Sequence, residues 1–363
     1  MRPTPVGAHG RAPLADAARA VRPGEELDVP AVDTWLKPRV PGLAGTPRVS
    51  QYTGGASNWT YRLEYPEHDL ILRRPPAGTK AKSAHDMGRE FRVQAALGSF
   101  YPVPEMIALC EDPEVIGVPF YVMRRIAGRI LRARLPQGFS LAPAAARALS
   151  EHAIDQLVAL HRVDVRAAGL ESLGKGAGYC RRQIEGWSER YRKARTWNVP
   201  RFEKVIDWLA AHTPDDVATS LIHNDFRLDN LVLDPEDSTR IVGVLDWEMA
   251  TLGDPLMDLG NSLAYWVEAA DGPFSRALRR QPTHLPGMLT RREVVVRYAD
   301  RTGFVPPSWT FYEVYGVFRL AGIAQQIYYR YHHGETRNPA FRHFWLYVHL
   351  LHRRCRRLMR RKG

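Results

Sequence analysis

Leu221-Ile-His-Asn-Asp-Phe-Arg-Leu-Asp-Asn-Leu-Val-Leu-Asp234, followed a few residues later by Ile241-Val-Gly-Val-Leu-Asp-Trp247, is the stretch on which the reading of this chain turns. Two short runs, Leu221–Ile222 and Asn230–Leu233, flank a polar loop that carries His223, Asp225 and Asn230. A second apolar run, Ile241–Leu245, ends in Asp246. The alternation, together with the turn-forming residues Pro235–Thr239 between the runs, predicts a β-hairpin. Such a hairpin places Asn230 and Asp246 at neighbouring strand ends.

Those residue types at that spacing fit phosphoryl transfer. A carboxylate must accept or orient the proton of an attacking hydroxyl, which is the role expected of Asp225. Hard oxygen ligands must hold magnesium against a triphosphate, since that ion prefers carboxylate, carbonyl and water oxygens. Asn230 and Asp246 fit this second role. The pattern H-x-D-x-x-x-x-N, with an aspartate 16 residues further on at a strand end, is the catalytic-loop layout of kinases. Any one of these residues alone would be read as a turn or helix cap; the joint arrangement on apolar strands is what carries the reading. His223 is expected to hold the loop by hydrogen bonds. Asp254 and Asp258, in Gly253-Asp-Pro-Leu-Met-Asp-Leu259, open the next helix, and their expected task is to cap it and brace the loop.

Upstream, Val49–Tyr52, Thr60–Glu64 and Asp69–Arg73 read as strands, and Ser83–Leu97 has helical spacing. Val118–Met123 is a further strand candidate. Thr53-Gly-Gly-Ala-Ser-Asn58 lies between two of the strands, so Gly54, Gly55, Ser57 and Asn58 are candidates to lay backbone N–H groups and a hydroxyl over phosphates. Arg73 ends its strand where it would meet the α- and β-phosphates, and Glu90 on the following helix is its expected partner, the strand-cation and helix-glutamate pair of kinases. Downstream the texture turns helical: 141–162 is amphipathic, and 201–213, 292–301, 311–333 and 340–360 also read as helices. Residues 1–29 read as a loosely ordered arm, 30–123 as a β-rich lobe, 124–130 as a connector and 131–363 as a mainly helical lobe. The fold class is therefore α+β and bilobal. Phe311, Tyr315 and Phe318 read as core filling, whereas Trp266, Arg319, Gln326, Tyr328 and Arg330 are candidates for an acceptor pocket.

With these parts in order, the chain resembles the aminoglycoside phosphotransferase family, and more narrowly the branch like the kinase-like domain fused to some acyl-CoA dehydrogenases. Besides the catalytic stretch, the resemblance rests on Gly54-Gly-Ala-Ser-Asn58, Leu72-Arg-Arg74, Arg89-Glu-Phe-Arg92, Pro102-Val-Pro104, Leu109-Cys-Glu-Asp112, Pro119-Phe-Tyr-Val-Met123, Gly128, Asp246-Trp-Glu248 and Gly253–Leu259. It covers roughly residues 45 to 335. It implies a protein-kinase-like fold with ATP in the cleft and adenine held by connector backbone near Met123–Ile126. Protein kinases carry Lys where this chain has Arg73, and the narrower branch tolerates Arg. Trp-Glu after Asp246, in place of Phe-Gly, points away from protein substrates.

Composition bounds the remaining possibilities. Apolar residues make up 45% and charged residues 25% of the 363, as in ordinary globular proteins. No run approaches the roughly 20 apolar residues of a membrane-spanning helix, and the first residues lack the apolar core of a secretory signal. Cys110, Cys180 and Cys355 are scattered, without the spacing of a disulfide framework or a zinc site. A reduced, cytoplasmic protein is the expectation. Of the net charge of +12, the tail Arg353-Arg-Cys-Arg-Arg-Leu-Met-Arg-Arg-Lys-Gly363 supplies seven, leaving +5 elsewhere. That tail reads as a solvated, partly frayed helix end; it lacks interleaved aromatic platforms, so nucleic acid is not an expected partner. The expected activity is ATP- and magnesium-dependent transfer of phosphate to a hydroxyl of a small molecule. Arg319, Arg330, Arg337 and Arg342 favour an anionic or neutral acceptor over a polycation. The resemblance makes a hydroxyacyl-CoA the concrete candidate. An antibiotic kinase and a non-catalytic nucleotide-binding pseudokinase are the alternatives.

Overall fold

The computed structural model describes residues 18–52, 58–76 and 86–361. The expectations for Gly54, Gly55 and Ser57, for the first turn of the Ser83–Leu97 helix and for residues 1–17 of the arm lie outside the described residues.

The chain folds as an α+β, bilobal, protein-kinase-like molecule. After α1 (Val29–Leu36), the small lobe is built on β1 (Arg48–Gln51), β2 (Trp59–Glu64), β3 (Asp69–Arg74), α2 (Met87–Leu97), β4 (Met106–Cys110), α3 (Pro113–Ile116) and β5 (Phe120–Arg124). Its strands form one antiparallel sheet in the order β1-β2-β3-β5-β4. Val32 and Leu36 of α1 pack with Tyr61, Leu63, Leu70 and Phe120 beneath that sheet. The end of the N-terminal arm is held to the sheet, unlike the loose arm expected from composition. Arg19 and Gln51 exchange backbone hydrogen bonds, and the Tyr61 hydroxyl donates to the Glu25 carbonyl at 2.6 Å.

The large lobe runs α4 (Pro143–His161), α5 (Tyr179–Ala194), α6 (Glu203–Ala211), β6 (Ser220–Ile222), β7 (Leu231–Leu233), β8 (Ile241–Val244), β9 (Thr251–Gly253), α7 (Pro255–Tyr265), α8 (Pro273–Ala277), α9 (Arg291–Thr302), α10 (Thr310–His332) and α11 (Phe344–Leu358). The expected hairpin is β7 paired with β8, and β6 pairs instead with β9. A single apolar core joins α4, α5, α7, α9 and α10, and Phe311, Tyr315 and Phe318 are all buried in it. The basic tail differs from the solvated end read from its charge. Val348, Leu351, Cys355 and Leu358 recur on one face of α11 and are buried against the core, with the arginines between them. The helix read over 340–360 divides into a short 3₁₀ turn, Pro339–Phe341, and α11.

The connector after β5 is fastened to the β7–β8 hairpin. Arg129 and Leu233 exchange backbone hydrogen bonds of 2.8 Å each way. Gly128 is required here, since a Cβ would stand 2.4 Å from the Leu233 carbonyl oxygen.

Candidate active site

The β6–β7 loop is shaped from beneath by one carboxylate. Asp258, in the first turn of α7 and fully buried, accepts from the His223 N–H at 2.8 Å and the Asn224 N–H at 2.7 Å. His161, at the last turn of α4, places Nε2 at 3.1 Å from the same carboxylate and Nδ1 at 2.6 Å from the Tyr298 hydroxyl. Burial alone would raise the Asp258 carboxyl; the hydrogen bond and charge of His161 and the His223 N–H outweigh it and hold the group below its ordinary value. The clamp also sustains a left-handed backbone at Asn224, φ 66°.

His223 links this support to the loop's far side. Its Nε2 lies 3.0 Å from the Leu245 carbonyl, and its Nδ1 accepts the Asp225 N–H at 3.2 Å. Those two partners select the neutral Nε2–H tautomer. The imidazole packs on Trp247, ring centroids 4.8 Å apart, and Trp247 is itself fully buried.

On this platform Asp225 Oδ2 accepts from Arg227 Nη2 at 2.9 Å and from Asn230 Nδ2 at 3.3 Å. Asn230 Nδ2 also donates to the Asp225 carbonyl at 2.9 Å, so its amide nitrogen is committed to the loop and its oxygen is left for another partner. Burial raises the Asp225 carboxyl; Arg227 opposes that effect, and the nearby Asp246 charge adds to it. Asp246 follows β8 in a left-handed conformation, φ 70°, which a non-glycine residue adopts only when its surroundings enforce it. Leu245 N–H donates to the Asn230 carbonyl at 2.9 Å, tying the two strand ends together as expected of the hairpin.

The small lobe reaches the same point. Arg73 donates through Nη1 to Glu90 at 2.8 Å and through Nη2 to Asp246 at 3.2 Å. Glu90 is buried and its carboxyl is raised, by burial first, with the Arg73 charge pulling the other way. Asn58 donates to Glu248 at 3.3 Å, and Arg89 bonds the carbonyls of Glu248 and Ala250, so the loop after Asp246 is held across the lobes. The cleft between the lobes is lined by Ile71, Met123, Ile126, Val232 and Leu245 at its apolar end and by Arg73, Asn230 and Asp246 at its polar end. Met123 and Ile126 thus lie on the connector side of the cleft that also holds the polar set.

The proposed acceptor residues do not form one group. Trp266 is buried with its indole N–H on the Leu289 carbonyl at 2.8 Å. Tyr328 accepts from Asn198 at 2.9 Å, Arg330 is exposed, and Gln326 is half-buried one turn further along α10 than Gly322. Arg319 alone lies close enough to act on the Asp225 charge. Sequence reasoning passed over Arg227, Asp229, Tyr265 and His161. Arg227 pairs with Asp225 and, at 3.4 Å, with Asp229, and it lies 4.6 Å over the Tyr265 ring. The alternation Asp225, Arg227, Asp229 within the loop is the signal by which it could have been found. His161 was findable as the one ionisable group continuing the buried face of α4 after Ile154 and Leu157.

Among the described residues one further set could hold a metal, Cys180 with Asp216 and Asp254. Its carboxylates are already occupied: Asp216 accepts from Tyr179 and Cys180 N–H, and Asp254 from Val217 and Met257 N–H. Burial pushes the Cys180 thiol up and the Asp254 carboxyl to about 6. The set is two helix starts packed together, α5 and α7.

Comparison with known proteins matches this geometry to a family. A family model described as "Phosphotransferase enzyme family" matches residues 48–294. Human acyl-CoA dehydrogenase family member 11 is 36% identical over 334 residues, which is 90% of this chain but 42% of that relative. The chain thus spans less than half the length of that relative. A Ralstonia eutropha crystal structure provisionally named an aminoglycoside phosphotransferase is 34% identical, with TM-score 0.77, covering 91% of this chain and 98% of that one. A structure of aminoglycoside phosphotransferase APH(4)-Ia in ternary complex with AMP-PNP and hygromycin B has TM-score 0.57 at 16% identity, covers 91% and 98%, and shares the fold. With the family match spanning both the Arg73–Glu90 pair and the Asp225–Asp246 loop region, the chain belongs to the phosphotransferase enzyme family.

Proposed function

We propose that this chain moves the γ-phosphate of ATP to a hydroxyl of a small-molecule metabolite. The observation that carries the reading is two hydrogen-bonded sets, Asp225–Asn230 and Asp246–Arg73–Glu90, tied together by the Leu245 N–H on the Asn230 carbonyl, with Arg73, Asn230 and Asp246 lining one cleft. Asp225 is the base. Its Oδ2 is held by Arg227 and Asn230, and Oδ1, which no described group occupies, is the atom that takes the acceptor's proton. Asp258 and His223 act as positioning residues by fixing the loop that carries it. Arg73, braced by Glu90, contacts the nucleotide phosphates.

The residues fit magnesium. The Asn230 amide oxygen and the second Asp246 oxygen are hard, uncommitted ligands at adjoining strand ends, and the Asp246 side chain is 31% exposed toward the cleft. Asn230 and Asp246 would hold the ion, and the ion when bound neutralises charge on the β- and γ-phosphates. The apolar end, with Ile71, Met123, Ile126 and Val232, suits adenine.

For the acceptor we favour a hydroxyacyl-CoA. The name of the human relative links a homologue of this chain to acyl-CoA chemistry, and Arg227 and Arg319 flank Asp225 with positive charge that would repel a polycationic antibiotic. The test is magnesium-dependent ADP release against a pooled library of hydroxyl metabolites that includes hydroxyacyl-CoA thioesters. Asp225→Asn should retain ATP binding and lower turnover by about 10²–10⁴. ATP binding with no acceptor-dependent turnover on any hydroxyl compound would replace this reading with the pseudokinase.

A further inference from the structure

The large lobe buries a cation that no described carboxylate meets in a hydrogen bond or ion pair. Arg319 on α10 is 3% exposed and makes no hydrogen bond or ion pair with any described residue. Its guanidinium lies 5.3 Å over the Trp187 ring of α5. One turn earlier on the same helix face, the Tyr315 hydroxyl is buried without a partner among the described residues. Facing α10 from α7, Asn261 has its amide nitrogen on Asn224 at 3.1 Å and its oxygen buried and unpaired. Arg190, 4.2 Å from the Trp187 ring, adds a second positive charge that makes no ion pair with any described residue. Native proteins rarely leave one buried polar group unsatisfied, and a buried charge without a partner is costlier still. Two buried polar atoms without a partner among the described residues, and an unpaired buried cation, thus converge beside the loop that carries Asp225.

We propose that Arg319, with the Tyr315 hydroxyl beside it, binds an oxyanion of the acceptor, a carboxylate or a phosphate, while the acceptor's hydroxyl meets Asp225. The planar guanidinium fork matches either group in a paired hydrogen bond, and an aromatic face behind it keeps it oriented. Arg227 does not serve this role because Asp225 and Asp229 already engage it. Arg319 is free of such partners yet close enough to lower the Asp225 carboxyl by its charge. The close α7–α10 approach through Gly260 and Gly316 holds Asn261 and Tyr315 at a fixed separation.

The inference rests on the phosphotransferase reading for the identity of the ligand as acceptor, and its test needs no phosphoryl transfer. Isothermal titration of the full chain with 4-hydroxybutyrate, glycerol 3-phosphate, 1,4-butanediol and glycerol compares each oxyanion with a neutral counterpart. At least one oxyanion should bind about 10-fold or more tighter than its neutral counterpart, as charge-assisted hydrogen bonds do. Whether the carboxylate or the phosphate binds tells which group the site takes. Arg319→Gln should abolish the preference, Arg319→Lys should keep part of it, and Tyr315→Phe should weaken it several-fold. All three should retain affinity for magnesium–AMP-PNP, which also reports that each variant is folded. Equal binding of charged and neutral probes to the unaltered chain, or a preference that survives Arg319→Gln, would overturn the proposal. Oxyanion binding without ATP turnover would instead sink the kinase reading and leave the anion site standing.

Discussion

Replacing Asp258 by asparagine keeps the side chain's size and removes the charge on which three buried donors converge, His223 N–H at 2.8 Å, Asn224 N–H at 2.7 Å and His161 Nε2 at 3.1 Å. An amide offers a single acceptor oxygen and turns its NH₂ toward at least one of those donors. A hydrogen bond to a charged group contributes about 1.5–3 kcal/mol, and a buried donor left unpaired costs about 1–3 kcal/mol. Losing one bond outright and weakening the others predicts destabilisation of about 3–5 kcal/mol at neutral pH. The pH dependence follows from the direction of the shift. The folded carboxyl lies below its ordinary value of 3.8, so its stabilisation is complete above that value and is lost as pH falls through the lower, folded one. Urea unfolding of both proteins in steps from about pH 7 to about pH 4 measures this. The gap should stay constant down to about pH 5 and begin to close only near the ordinary carboxylate value. A gap below about 1 kcal/mol at neutral pH, or one that fades between about pH 7 and 5, would refute the role of Asp258 as the charged clamp of the loop.

Two further outcomes test other parts of the structure. Asp246→Asn should weaken magnesium–AMP-PNP binding about 10-fold or more, because it removes the charge of a proposed metal ligand; unchanged affinity by titration would remove Asp246 from the metal assignment. Gly316→Ala would set a Cβ 2.1 Å from the Gly260 carbonyl oxygen, backbone against backbone, so thermal unfolding should show a loss of at least about 2 kcal/mol; a smaller loss would mean that α7 and α10 slide apart easily.

What the sequence showed plainly was local. The strands β1 to β3, the helix α4 and the β7–β8 hairpin have side-chain periods and turn residues contained within a few positions of themselves. The Asp225–Asn230–Asp246 spacing is of the same kind. What it concealed depends on contacts between distant positions. Asp258 and His161 lie 97 residues apart, and nothing in either neighbourhood announces the other. The helix α5 escaped notice because its sequence, YCRRQIEGWSERYRKA, is dominated by charge, yet Tyr179, Ile184, Trp187 and Tyr191 give it a buried face. Arginine clusters near the C-terminus read as solvated because sequence does not tell which arginines flank an apolar stripe, as those of α11 do, and which are buried, as Arg319 is. The same blindness scattered the acceptor candidates: Trp266 and Tyr328 had the right chemistry for a pocket, but each had a structural partner elsewhere in the chain.

The arginine at position 73 shows why chemistry at one site can depend on side-chain shape as well as charge. A lysine is a compact point charge, well suited to one carboxylate and one phosphate cluster. Arg73 spreads its donors across a rigid plane, so Nη1 holds Glu90 on α2 while Nη2 reaches Asp246 beyond β8. One side chain therefore joins a helix of the small lobe to the aspartate loop of the large lobe. Its Nε remains buried with no partner among the described residues, and so does Glu90 Oε2. Burial would by itself weaken the charged form of Arg73, but Glu90 and Asp246 together hold the guanidinium firmly protonated. The contact to Asp246 is the longer and more exposed of the two, so on the proposed reading it is the one that would yield to a cation and phosphates. Arg73 would then turn from an anion of the protein to an anion of the nucleotide while keeping Glu90, so that one charge serves both arrangements.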